Sequence, residues 1–200
     1  MFDEPKERIV TRDGSRILTP SLAKRIRDKL GKKEYEMIFD VQLNTGLRQV
    51  EFWNLMRNPQ WYHASQRIID LPKEGACRKP KCKTDARTIR LTVDGARALE
   101  NAFYNRLGAD KPMYNRAFGQ ALTRAAIRAK IDPAGINPKC LRKSMESWLV
   151  EARKELGIDF LDILANMGHT ETVSINCYIG FVWDTQAHND MVNFFKGWKP

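Results

Sequence analysis

The chain has 200 residues, 42% of them hydrophobic, which suits one domain, or one with a small appendage, around a real core. Its 34 lysines and arginines against 24 acidic residues give a formal charge of +10, which favours an anionic partner, nucleic acid first, although charge alone also fits a protein using it for solubility. No run of about 18 apolar residues occurs, and Met1 to Val10 is charged without an apolar centre, so neither a membrane span nor a signal peptide is expected.

Residues 1 to about 18 lack periodicity and read as an arm or linker. Thr19-Pro20 combines a capping residue with a proline at the first helical position, and a helix is expected through Leu22, Ile26 and Leu30 to Gly31. A second covers Lys33 to about Asn44, with Met37, Ile38 and Val41 on one face and Gly46 as its punctuation. A third, short helix runs from Arg48 to Met56.

Between Trp61 and Leu91 the period changes. Arg67 to Leu71 and Arg87 to Leu91 are short β-branched runs flanking a Gly/Pro/Lys-rich segment, the pattern of a small antiparallel sheet with a basic loop. Helical patterns return at about 93 to 107, 115 to 130 and 138 to 155, the last bracketed by Pro138 and Gly157. Further helices are expected around 159 to 167, 171 to 178 and 184 to 196, the last carrying Val192, Phe194 and Phe195. The expected fold class is mainly α with a small antiparallel β-sheet (α+β).

Four cysteines, Cys77, Cys82, Cys140 and Cys177, are too few and too scattered for a disulfide scaffold, which points to a reducing, intracellular setting. Cys77 and Cys82 lack the second Cys/His pair that a tetrahedral zinc site needs. No metal or other cofactor is called for.

Three short segments carry the chemistry, and each is unremarkable alone. In Thr45-Gly46-Leu47-Arg48-Gln49-Val50-Glu51 a glycine turn delivers Arg48 to a helix N-terminus, a position that favours anions, with Glu51 spaced to return to the turn's backbone. Lys139 and Arg142 share one face at the start of the helix after Pro138, while Leu141, Met145, Trp148 and Leu149 face the core. Met167-Gly168-His169 is followed, nine residues after His169, by Tyr178.

The order Gly-Leu-Arg-x-x-Glu, then Leu-Arg, then Gly-His with a tyrosine nine positions on resembles the tyrosine recombinase (phage integrase) catalytic domain. The likeness covers roughly residues 19 to 196, so residues 19 to 200 are expected to form the catalytic domain, tail helix included. Members usually carry a further N-terminal helical DNA-binding domain, for which residues 1 to 18 leave no room. A fragment or a minimal enzyme is expected.

The resemblance implies a site of Arg48, Arg142, Lys139, His169 and the nucleophile Tyr178. A hairpin lysine completes it, for which Lys83 fits the Lys-Thr pattern before the second strand, with Lys81 in reserve. Lysine at 139 departs from the usual histidine and is similar to some archaeal viral integrases; it keeps a hydrogen-bond donor for a phosphate but is a poor base near neutral pH.

Site-specific cleavage and rejoining through a covalent 3′-phosphotyrosine is the implied activity, in a viral, plasmid or chromosomal integrase. A type IB topoisomerase-like strand transferase and an inactive DNA-binding protein of the same fold are the alternatives. Double-stranded DNA is the implied partner, with a homotetramer on DNA and no membrane. Lys24, Arg25, Lys81, Arg116, Arg124 and Arg128 are candidate DNA-phosphate contacts.

Overall fold

The computed structural model describes residues 14–76, 86–107, 115–168 and 183–198. Among them are eight α-helices and one three-stranded antiparallel sheet, the mainly helical α+β class expected. The helices are α1 (Pro20–Arg27), α2 (Lys33–Thr45), α3 (Gln49–Arg57), α4 (Val93–Tyr104), α5 (Asn115–Arg128), α6 (Pro138–Leu156), α7 (Phe160–Met167) and α8 (Thr185–Phe194). The expected helix at 171 to 178 lies outside the described residues.

Local signals set most boundaries. Thr19 caps α1 by accepting the Leu22 N–H at 3.2 Å, and Gly46 ends α2 in the left-handed region at φ 63°. Asn137 caps α6 through the Lys139 N–H at 2.9 Å, and Gly157 closes it at φ 65°. The helix between them is the spine of the molecule, with α2, α5, α7 and α8 packed around it. Leu141, Met145, Trp148 and Leu149 are fully buried on it, as their spacing requires, each contributing roughly 1.5–3 kcal/mol of burial.

The sheet has the order β1-β2-β3, formed by Tyr62–His63, Ile68–Leu71 and Arg87–Arg90. Its register sets Ile69 opposite Ile89 and Leu71 opposite Arg87. Both isoleucines are buried, and β3 lies against α7. The first strand has only two residues and carries no readable pattern in the sequence.

Ser15 to Leu18, at the end of the stretch read as an arm, are buried. Leu18 is strapped to α6 twice: its N–H donates to Ser144 Oγ at 2.8 Å, and its carbonyl accepts from Trp148 Nε1 at 2.7 Å. Among the described residues no helix is long and apolar enough to cross a membrane.

Candidate active site

Arg48 sits at the N-cap of α3, where Glu51 forms half of a capping box by accepting the Arg48 backbone N–H at 2.7 Å. The same carboxylate accepts from the Arg48 guanidinium at 2.8 Å. Among the described residues this is the one side-chain hydrogen bond Arg48 makes, and its side chain remains 34% exposed.

Glu51 is the hinge of the site. Its side chain is fully buried and accepts a bidentate pair from Arg87 on β3, at 3.0 and 2.8 Å. Arg87 is itself only 5% exposed, and its Nε donates to the Asn166 carbonyl at 3.1 Å. Asn166 also accepts the Arg90 N–H through Oδ1 at 2.7 Å, so α7 and β3 are joined around this pair. Burial alone would raise the Glu51 pKa, but the Arg87 hydrogen bonds and the charges of Arg87, Arg142 and Arg48 together bring it down to about 2.

Arg142 enters the same cluster from α6, with an amino nitrogen 3.9 Å from Glu51. Its guanidinium donates to the carbonyls of Gly46 and Met167, at the C-terminal ends of α2 and α7. Those are helix-end carbonyls without an intrahelical partner, at the negative ends of two helix dipoles, so a buried cation satisfies both. Burial pushes the Arg142 pKa down to about 10, with the neighbouring Arg48 charge adding to the effect and Glu51 and Glu146 opposing it. It stays a cation at neutral pH.

Two glycines make this convergence possible. At Gly46 a Cβ would lie 3.0 Å from Met145 Sδ and 3.0 Å from Met167 atoms, on a backbone already at φ +63°. At Gly168, also at φ +63°, a Cβ would come within 2.9 Å of Arg87 Cδ. Larger residues at either position would displace an arginine or its anchor.

Arg48 and Arg142, 94 residues apart by their numbers, therefore meet at one carboxylate. Lys139 lies exposed in the first turn of α6, three residues from Arg142 but in a different environment. Lys81, Lys83, His169 and Tyr178 lie outside the described residues, as do Cys77, Cys82 and Cys177. Cys140 is a free, buried thiol whose pKa burial pushes up to about 12.

Of the candidate DNA-contact residues, Lys24, Arg116, Arg124 and Arg128 are exposed and Arg25 is half-buried. Arg25 donates to the Ala129 carbonyl at 2.8 Å and Arg128 to that of Lys29 at 3.0 Å, so these two also tie α1 to α5. The residue that sequence reasoning missed is Arg87. An arginine in a strand reads as solvent-facing, and its partner Glu51 is 36 positions away. The alternation on β3, with buried Ile89 between two arginines, was the available signal.

Three guanidiniums, those of Arg48, Arg87 and Arg142, act on the buried Glu51 carboxylate, and the buried Glu146 is a second carboxylate acting on Arg142.

No family model matches the chain, and no curated protein matches it. Solved structures do. A Tn1549 transposon integrase in complex with transposon right end DNA superposes at TM-score 0.63 and 20% identity, over 96% of this chain and 67% of that one. A Tn1549 integrase structure with circular intermediate DNA gives 0.63 at 21%, over 94% and 67%. XerA recombinase gives 0.64 at 18%, over 96% and 65%. This chain thus spans about two thirds of the length of those chains. At such identities the likeness is one of fold, and the fold is that of the tyrosine recombinase catalytic domain.

Proposed function

We propose that the chain is the catalytic domain of a tyrosine recombinase that cleaves and rejoins DNA through a 3′-phosphotyrosine intermediate. The observation that carries this reading is the convergence of Arg48 and Arg142 on Glu51, with Arg87 as a third guanidinium on the same carboxylate. A phosphodiester under attack gathers charge on its non-bridging oxygens. Two guanidiniums can hold those oxygens bidentately and remain charged throughout. One such contact is typically worth about 3–4 kcal/mol in the transition state.

Tyr178 is the nucleophile. A phenol with a pKa near 10 is only about one part in a thousand ionised at pH 7, and nearby cations would stabilise the phenolate. The Tyr178 phenol releases its proton to solvent, its oxygen bonds to phosphorus as the bond to the 5′ oxygen breaks, and Lys83 donates the proton that the departing oxygen takes. His169 and Lys139 hydrogen-bond the phosphate. The phosphotyrosine conserves the energy of the broken linkage, so a 5′ hydroxyl reverses the step without a nucleotide cofactor.

Duplex DNA is the substrate, with Lys24, Arg25, Lys81, Arg116, Arg124 and Arg128 as phosphate contacts and a homotetramer as the working assembly. Two solved structures of the same fold are complexes with DNA, which supports this partner. The test uses a library of nicked duplexes with randomised sequence, incubated with the full chain and scored for denaturation-resistant protein–DNA adducts. Adduct with the wild type and none with Tyr178→Phe is the expected result. Tight DNA binding with no adduct from any library member would instead make this an inactive DNA-binding protein of the same fold.

A further inference from the structure

Glu51 accepts four hydrogen bonds: the backbone N–H and guanidinium of Arg48, and two from Arg87. That fills the roughly four lone-pair positions of a carboxylate. The two arginines nevertheless stand differently. Arg87 is nearly buried, holds both carboxylate oxygens and is anchored a third time on Asn166. Arg48 is one-third exposed and gives the carboxylate a single side-chain bond, while its backbone N–H holds Glu51 independently.

We propose that Arg48 exchanges its guanidinium between Glu51 and the scissile DNA phosphate, and that Arg87 is the positioning residue that keeps Glu51 in place during the exchange. The inference rests on the recombinase reading of the site. A buried carboxylate beside two phosphate-binding arginines is a competing anion, and left to itself it would pair with whichever cation is nearest. Arg87 occupies both of its oxygens from the side of β3 and α7. The side chain of Arg48 is then spared for the phosphate, and the Arg48 N–H to Glu51 bond keeps the α3 N-terminus fixed as the guanidinium moves.

Arg87 touches no reacting atom in this scheme. It sets how strongly Glu51 competes, and so acts on the chemical step rather than on DNA capture. Tyr178→Phe protein labelled with ¹⁵N-arginine, titrated with a nicked duplex at pH 6, tests the exchange. Arg48→Lys and Arg87→Lys spectra assign the two Nε–H resonances. The expected result is that the Arg48 resonance moves on adding DNA while that of Arg87 stays. Both moving would mean that the carboxylate leaves with Arg48, and neither moving would mean no exchange; each overturns the proposal.

Single-turnover cleavage at saturating DNA adds a functional readout. With Arg87→Met, cleavage falls about 100-fold while the dissociation constant for DNA changes by less than about threefold, since most affinity comes from phosphate contacts elsewhere. Adding Glu51→Gln to Arg87→Met removes the competing charge and recovers most of the rate. A purely structural Arg87 would instead give losses that follow the folded fraction, with the double variant no faster than the single one when both are fully folded. Absence of adduct from the wild type would count against the recombinase reading, whereas the resonance titration judges the exchange by itself.

Discussion

Acid should weaken this protein through Glu51 in a way that one substitution isolates. The carboxyl is fully buried and its pKa falls from an ordinary 4.5 to about 2, under the Arg87 hydrogen bonds and the Arg87, Arg142 and Arg48 charges that outweigh desolvation. A carboxyl more acidic in the folded than in the unfolded chain stabilises the fold above the unfolded value and loses that contribution as pH drops through the folded one. A fall from 4.5 to about 2 corresponds to about 3 kcal/mol, of which about 2 kcal/mol is gone by pH 3. Urea unfolding of wild type and Glu51→Gln at several pH values between 6 and 3 reads the difference, because every other carboxyl titrates in both proteins. The stability gap should narrow by about 2 kcal/mol over that range. A gap that stays constant would refute the claim that a charged Glu51 holds the three arginines.

Two substitutions test the arginine anchors. Gly46→Ala places a methyl on a left-handed backbone against Met145 and Met167, so it should cost about 1–3 kcal/mol in urea unfolding, with cleavage falling further because Arg142 is held by the Gly46 carbonyl. Arg142→Ala leaves the Gly46 and Met167 carbonyls without that donor, so stability should fall by about 1–3 kcal/mol. Its cleavage, measured where the variant is fully folded, should drop by about 10²- to 10³-fold or more.

Much of the fold was legible because local rules set it. Thr19-Pro20, Gly46, Pro138 and Gly157 mark helix ends by dihedral preference and capping, and the structure places its ends there within a residue or two. Burial of Leu141, Met145, Trp148 and Leu149 follows from the 3.6-residue period alone. Ser15 to Leu18 escaped notice because their place is fixed by non-local partners, Ser144 and Trp148, and not by any pattern of their own.

In the site the same division holds. Arg48 and Arg142 were legible only as members of an ordered motif, since a single arginine gives no sign of which distant residues it meets. The Glu51–Arg87 pair was hidden because an ion pair between a helix and a distant strand leaves no periodicity. Lys139 and Arg142, spaced three apart, promised a shared environment, yet Arg142 points into the junction of α2 and α7 while Lys139 is exposed.

The central claim is that Tyr178 forms the bond to DNA, and peptide mapping of the adduct addresses it directly. Cleavage after lysine and arginine yields one peptide, Glu155 to Lys196, in which Tyr178 is the only tyrosine. After nuclease digestion of the adduct, mass spectrometry should find this peptide carrying a nucleotide through a 3′-phosphate on Tyr178. A nucleotide on any other residue, or an unmodified peptide recovered from a proven covalent adduct, would contradict the assignment.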